Sequence, residues 1–308
     1  MKRLIISSLL FILLFILCYP FYLFIIGSIP NIHLPNLSYN FGGHGYLYTR
    51  LNEASEYKNV DVLFLGSSHT YRGFDVRIFE EYGLKTFNLG SSSQTPINTR
   101  YLLKTYLSSL NPKLIIYALS PDIFISDGVE SAVDIISNDK KYMQYLEMIS
   151  KINNFKLYNV LIYKKLREFV NLDKYYKQPK KMAGFGYIDT YINGGYVEIT
   201  TEQCLNNNLI KNIDDNINKK QYQLDSFNEI ILDLNNRNIK YIFVRTPIAN
   251  YSGNQEFDEF VEKYGSYYNF NEILNISNNY FYDKDHLKQE GVILFSNKVL
   301  EILLNKYF

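Results

Sequence analysis

The sequence predicts an α/β protein. It should hold a doubly wound, mostly parallel five-stranded sheet with a largely helical insertion and an N-terminal transmembrane helix. Three observations lead there. Short apolar runs at Val60–Leu65, Leu84–Leu89, Lys113–Leu119 and Lys240–Val244 alternate with amphipathic helical segments, as βαβ units do. Residues 126–237 break that alternation with helical spacing of their own. Leu4–Ile26 runs for about 23 residues without a charge, long enough to cross a bilayer as a helix.

Composition sets the outer bounds. A chain of 308 residues with 47% hydrophobic and 16% aromatic residues can bury a sizeable core. The expected division is an anchor over 1–27, a linker over 28–57 and an α/β domain over 58–308 that carries the insertion at about 126–237. Lys and Arg number 32 and Asp and Glu 31, a net charge of +1 that offers no basic patch for nucleic acid. The 29 tyrosines and the absence of tryptophan read as genomic bias. Cys18 lies in the apolar run and Cys204 in the middle region, so neither a disulfide nor a metal-ligand spacing is signalled.

Lys2 and Arg3 precede the apolar run, which keeps the N-terminus cytoplasmic and the rest of this single-pass chain outside. The competing reading is a cleaved signal peptide, but the run exceeds the usual h-region and no small-x-small site comes after it. Leu17 before Cys18 is too large for a lipoprotein site, and Pro20 would kink the helix. Pro30, Pro35, Gly42, Gly43 and Gly45 mark the linker; His44, Tyr46 and Arg50 either cap the site or pack as a polar tail on the domain. Strand one, Val60–Leu65, stops at Gly66-Ser67-Ser68. Val76, Ile78 and Phe79 form a short helix that Gly83 ends in a left-handed conformation. Strand two, Leu84–Leu89, ends in Asn88-Leu89-Gly90. Thr95 caps a helix begun by Pro96, with Leu102, Leu103, Tyr106, Leu107 and Leu110 on its apolar face. Strand three is Lys113–Leu119. In the insertion, Leu157, Val160, Leu161, Leu166 and Phe169 sit at helical spacing, and Gly194-Gly195 suggests a hairpin. Leu224, Phe227, Ile231 and Leu234 lead into strand four, Lys240–Val244. A short helix over 256–264, strand five at Asn278–Tyr282 and a final helix with Val292, Phe295 and Val299 complete the chain.

Two motifs carry chemistry. A serine at the carboxyl end of a buried strand stands where open α/β sheets place their sites. Ser68 is such a serine, and it needs a base and a group to orient that base. Asp283 and His286, three residues apart in Tyr282-Asp283-Lys284-Asp285-His286, supply both from one loop. The pair of motifs, over roughly residues 58–125 and 238–306, resembles the SGNH (GDSL-like) hydrolase superfamily, whose fold is flavodoxin-like. In that family a Gly-Asp-Ser block carries the nucleophile and a late Asp-x-x-His block the rest of the triad. Ser68 matches the nucleophile, and Ser67 replaces the usual Asp. This variant is similar to the membrane-anchored branch that includes proteins of teichoic-acid D-alanylation and alginate O-acetylation.

The resemblance implies acyl transfer with Ser68 as nucleophile, His286 as base and Asp283 as its orienting partner. It implies oxyanion donors at the Ser68 and Gly90 backbone N–H groups. The family's third block should bring an Asn; here Leu119-Ser120-Pro121-Asp122 lacks it. Asp285 competes with Asp283 as the partner of His286. His69 reads as a site wall, and Arg72 and Arg245 as binders of an anionic substrate or as ordinary salt-bridged arginines. No cofactor or metal is required. The expected function is a membrane-anchored esterase or O-acyltransferase acting on acyl, chiefly acetyl, groups of a cell-surface glycan. The rivals are an esterase of small or lipid esters, and a non-catalytic glycan-binding or assembly partner of a membrane O-acyltransferase.

Overall fold

The computed structural model describes residues 1–29, 34–43, 45–141, 145–184, 186–202 and 219–308. Helix α1 (Lys2–Gly27) is long and apolar enough to cross a membrane. Helix α2 (Leu47–Glu56) falls inside the stretch expected as linker, and it is a packed element instead. Its Leu47, Leu51 and Ala54 recur at helical spacing and are buried, which is why the segment folds onto the domain. Arg50, on the same helix, is wholly enclosed.

The sheet then assembles through β1 (Val62–Leu65), α3 (Ser68–Gly73), α4 (Val76–Glu80), β2 (Thr86–Asn88), α5 (Pro96–Leu110), β3 (Leu114–Ala118) and α6 (Asp122–Ile125). The insertion comes next as α7 (Val129–Asn138), α8 (Tyr145–Ile152), α9 (Phe155–Phe169), β4 (Lys181–Ala183), β5 (Ile188–Ile192) and β6 (Tyr196–Thr200). The chain returns to the sheet with α10 (Gln221–Asn236), β7 (Lys240–Arg245), α11 (Gln255–Glu262), β8 (Tyr267–Asn269), α12 (Phe270–Leu274) and α13 (Gln289–Lys306). The five-stranded sheet runs β2-β1-β3-β7-β8 and is parallel throughout. The strand order reverses at β1, so a crevice opens beyond the carboxyl ends of β1 and β3.

Side-chain alternation divides the core into two layers. Val62 and Phe64 of β1, with Leu114 and Ile116 of β3, face Phe79, Phe295 and Val299. Leu63 and Leu65, with Ile115 and Tyr117, face Leu102, Tyr106, Leu157 and Phe227. A parallel sheet covered on both faces explains why its strands are continuous apolar runs. Thr95 and Asn98 form a capping box ahead of α5, with Pro96 in the first turn, and Gly83 takes φ +78° after α4.

Three expectations change. Strand five is Tyr267–Asn269, not Asn278–Tyr282; Asn278–Tyr280 is a single 3-10 turn. The local reason is the Asn- and Ser-rich stretch before it: Asn275 is left-handed, and the Asn278 side chain bonds Asn250 instead of a strand ladder. The insertion is helical only in its first half, since β4-β5-β6 form a separate antiparallel sheet whose hairpin turns at Gly194-Gly195. It also ends before α10, which buries Phe227, Ile230 and Leu234 in the layer that holds α5. At the N-terminal end of the chain, α1 docks on α9. Tyr19 donates to Asn159 Oδ1 at 3.0 Å, and Tyr163 donates to the Gly27 carbonyl at 2.9 Å.

Candidate active site

Ser68 owes its position to glycine. Gly66 has φ +139°, and a Cβ there would stand 2.4 Å from Thr70 Oγ1 and 2.8 Å from the Ala118 carbonyl. Only glycine lets β1 turn this sharply into α3. Ser68 is the first residue of α3, where a helix leaves backbone N–H groups without intrahelical acceptors. The loop after β2 is stitched onto this turn. Ser91 N–H donates to the Gly66 carbonyl at 3.2 Å, and Asn88 Nδ2 donates to the Thr70 carbonyl at 2.7 Å.

The second motif sits on a closed loop. Phe281 and Leu287 form an antiparallel bridge and are buried, so the residues between them are held by both ends. Within the loop, Asp283 Oδ1 accepts the backbone N–H groups of Asp285 and His286, each at 2.8 Å. Burial pushes the Asp283 carboxyl up, but the hydrogen bonds from the His286 ring and these amides outweigh it and leave it below the ordinary carboxylate value.

The fold brings Ser68 and His286 together across 218 positions of sequence. His286 Nε2 lies 2.8 Å from Ser68 Oγ, and His286 Nδ1 lies 2.9 Å from Asp283 Oδ2. Asp285 turns away to Lys284 at 3.4 Å, so the orienting partner is Asp283. This arrangement can do what a serine nucleophile needs. The imidazole takes the hydroxyl proton while the carboxylate fixes its tautomer.

Two rings flank His286. His69 stacks with it at a centroid distance of 5.2 Å and Tyr282 at 5.6 Å. His69 is thus a supporting ring, where the sequence suggests a substrate-facing wall. Burial, with His286 alongside, pushes the His69 imidazole down to about 4, so it is neutral near neutral pH. Sequence reasoning misses Tyr282, although it directly precedes the Asp-x-x-His block.

The other expected contributors are placed differently. Gly90 N–H donates to Asn88 Oδ1 at 3.1 Å, so this oxyanion donor is engaged by its own loop. A Cβ on Gly90 would come within 3.1 Å of the Gly66 and Ser67 carbonyls; the residue serves close approach of the two loops. Arg72 makes a bidentate pair with buried Asp189, at 2.7 and 3.0 Å, which leaves it no unpaired charge for an anionic substrate. Asp189 lies 117 positions away on β5, and no local pattern signals it. Arg245 is buried against Tyr251 and Asp258, both at 3.2 Å, on the α11 side of the sheet, and does not line the cleft. Tyr46 and Arg50 pack under the site instead of capping it. Tyr46 donates to the Asp189 carbonyl, and Arg50 to the carbonyls of Gly90 and Gly195. His44 and Cys204 lie outside the described residues.

Above Ser68 and His286 opens a cleft of about 670 Å³. Tyr71, Tyr187 and Tyr282 give it aromatic walls, and Glu130, Asp134 and Lys156 give it polar ones. Burial pushes the Asp134 carboxyl up to about 7. No protein-family model and no curated protein matches this chain.

Proposed function

We propose that the chain is a membrane-anchored, extracytoplasmic serine esterase or O-acyltransferase of the SGNH type, with a flavodoxin-like sheet, acting on acyl groups of a cell-surface glycan. Acetyl is the first group to test. The observation that carries this reading is the Ser68–His286–Asp283 relay at the carboxyl end of β1, beside the switch point of a parallel sheet. Ser68 Oγ attacks the ester carbonyl as His286 Nε2 accepts its proton. The tetrahedral oxyanion collapses when His286 returns that proton to the departing alcohol, leaving an acyl-serine. Water or a sugar hydroxyl, deprotonated by the same imidazole, then takes the acyl group. Hydrolysis and transfer differ only in which of the two reaches the acyl-serine. Tyrosine walls mixed with carboxylates suit a polar sugar face, which supports the glycan over a long-chain ester.

One observation favours a second reading. The Gly90 N–H is bonded to Asn88 Oδ1, and Pro121 stands where an Asn donor would be expected, so the oxyanion is poorly served. A non-catalytic glycan-binding or assembly partner of a membrane O-acyltransferase would tolerate that. A fluorophosphonate probe on the full chain in detergent separates the two. Labelling that Ser68→Ala abolishes and Ser67→Ala keeps supports the enzyme. An unlabelled wild type that still binds glycan would replace it with the partner reading.

A further inference from the structure

We infer that the first turn of α9, with Phe155 at its tip, lies in the headgroup layer of the outer leaflet of the bilayer that α1 crosses, which holds the cleft over Ser68 at a fixed height above that surface. The inference rests on the proposal that the chain is membrane-anchored. The two halves of α1 differ in their surroundings. Residues 2–18 are exposed, 17 residues that at about 1.5 Å each span roughly 25 Å, close to the ~30 Å of a bilayer hydrocarbon core. Docking begins at the next residue. Tyr19 is half-buried against α9, and Leu23 is buried. From there the domain covers one face of the helix while Phe21, Tyr22 and Ile25 stay exposed on the rest, so the domain meets the helix near the level where a bilayer core of about that thickness would end.

What surrounds that level fits an interface. Phe15, Tyr19 and Tyr22 form a ring ladder at 5.5 and 6.4 Å, and Phe155 lies 6.4 Å from Tyr19. Aromatic residues collect at the membrane–water boundary because their rings are amphipathic. Phe155 keeps 59% of its surface exposed beside an apolar helix that also needs covering. The attachment is not a swivel. The Tyr19–Asn159 and Tyr163–Gly27 hydrogen bonds grip α1 at points eight residues apart.

The next residue ties this surface to the cleft. Lys156 lines the cavity that holds Ser68 and also a second cavity of about 830 Å³ bounded by Gly27 and Ser28 at the end of α1. Its ammonium has no ion pair among the described residues. A cation there faces the level of lipid phosphates. The cleft is thereby offered to esters carried at the membrane surface.

The chain has no tryptophan, so Phe155→Trp is a single reporter on an exposed residue. The full chain would be reconstituted in phosphatidylglycerol/phosphatidylethanolamine vesicles containing a lipid brominated high on its acyl chain. Tyr82→Trp, equally exposed but on the opposite layer of the sheet, is the control. The expected result is blue-shifted emission and loss of intensity with brominated lipid for Phe155→Trp, and neither for Tyr82→Trp. Iodide-quenched, water-like emission from Phe155→Trp in membrane-bound protein overturns the inference. So does blue-shifted emission that brominated lipid leaves untouched, which would mean that a protein partner or second copy covers this turn. Release of the whole chain by carbonate washing would instead overturn the anchoring reading, and the inference with it.

Discussion

Asp283→Asn tests the relay at one atom. Asp283 Oδ1 accepts two backbone N–H groups and lies 3.0 Å from His286 Nδ1, and Oδ2 lies 2.9 Å from the same nitrogen. In the variant the amide oxygen must stay on the backbone donors, because an NH2 there would oppose two N–H groups. The NH2 then takes the nearer place beside Nδ1. A donor there favours an unprotonated Nδ1 over the longer contact to the amide oxygen, so the ring proton moves to Nε2, which points at Ser68 Oγ. The imidazole becomes a donor where a base is needed. The same exchange in a serine triad costs about 10⁴ in kcat, which is roughly 5 kcal/mol at 1.36 kcal/mol per tenfold. The side chain is isosteric and the loop bonds survive, so the melting temperature should hardly move. The assay is acetyl-ester turnover alongside fluorophosphonate labelling, with a thermal melt on the same sample. A variant within about tenfold of wild type would refute the base assignment of His286.

Packing and charge set four further outcomes. Arg72→Ala leaves Asp189 buried and unpaired and should cost about 3–5 kcal/mol in urea unfolding, while the Arg72→Ala/Asp189→Ala pair recovers part of it; equal losses in the single and double variants would show that the unpaired Asp189 charge is not the source of the cost. His69 is depressed from 6.5 to about 4 by burial, with His286 alongside, so its stability contribution is present above 6.5 and lost as pH falls toward 4; His69→Phe should flatten that limb of a melting-temperature profile. Asp134 is raised by burial from 3.8 to about 7, so its contribution is complete below 3.8 and lost as pH rises through 7, and Asp134→Asn should remove that decline. Gly195→Ala places a Cβ 2.3 Å from the Asn88 carbonyl at φ +90°; it should destabilise by about 1–3 kcal/mol and slow Ser68 labelling, and unchanged labelling would show that the hairpin tip does not shape the β2 loop.

Local chemistry made much of the sheet legible. Val62–Leu65 ends at a glycine, Thr95-Pro96 opens a helix, and Gly83 closes one; each signal is a backbone requirement satisfied within a few residues. Ser68, Asp283 and His286 are legible for the same reason, since each motif closes its own turn. What the sequence hides depends on contacts between distant segments. The stretch over 28–57 reads as linker because Pro and Gly dominate its first half, yet Leu47, Leu51 and Ala54 carry a helical stripe that shows only once the domain offers a face. Strand five is hidden because Tyr267–Asn269 is a three-residue edge strand defined by pairing with Phe243–Arg245, and has no apolar run of its own. The roles of Arg72, Arg245 and Gly90 turn on partners that no spacing foretells: Asp189, Asp258 and the Asn88 side chain.

Those partners also change what the cleft can hold. Two arginines in the sequence suggest an anionic substrate. Arg72 keeps its place on the wall, but its charge is neutralised by Asp189, and Arg245 lies elsewhere. The ammonium left in the cleft is Lys156, at the rim next to α1. The same cleft is lined by Glu130 and Asp134, the latter pushed toward neutrality by burial, and Ser92 donates to Glu130 at 2.9 Å. A polyanion in the cleft would meet the carboxylates of Glu130 and Asp283 beside the ammonium of Lys156. A neutral sugar would meet hydroxyl and carboxyl acceptors and the rings of Tyr71 and Tyr187, and brings no charge of its own that must be stripped of water. If the proposed esterase reading holds, an uncharged acylated sugar suits this lining better than a polyanion does.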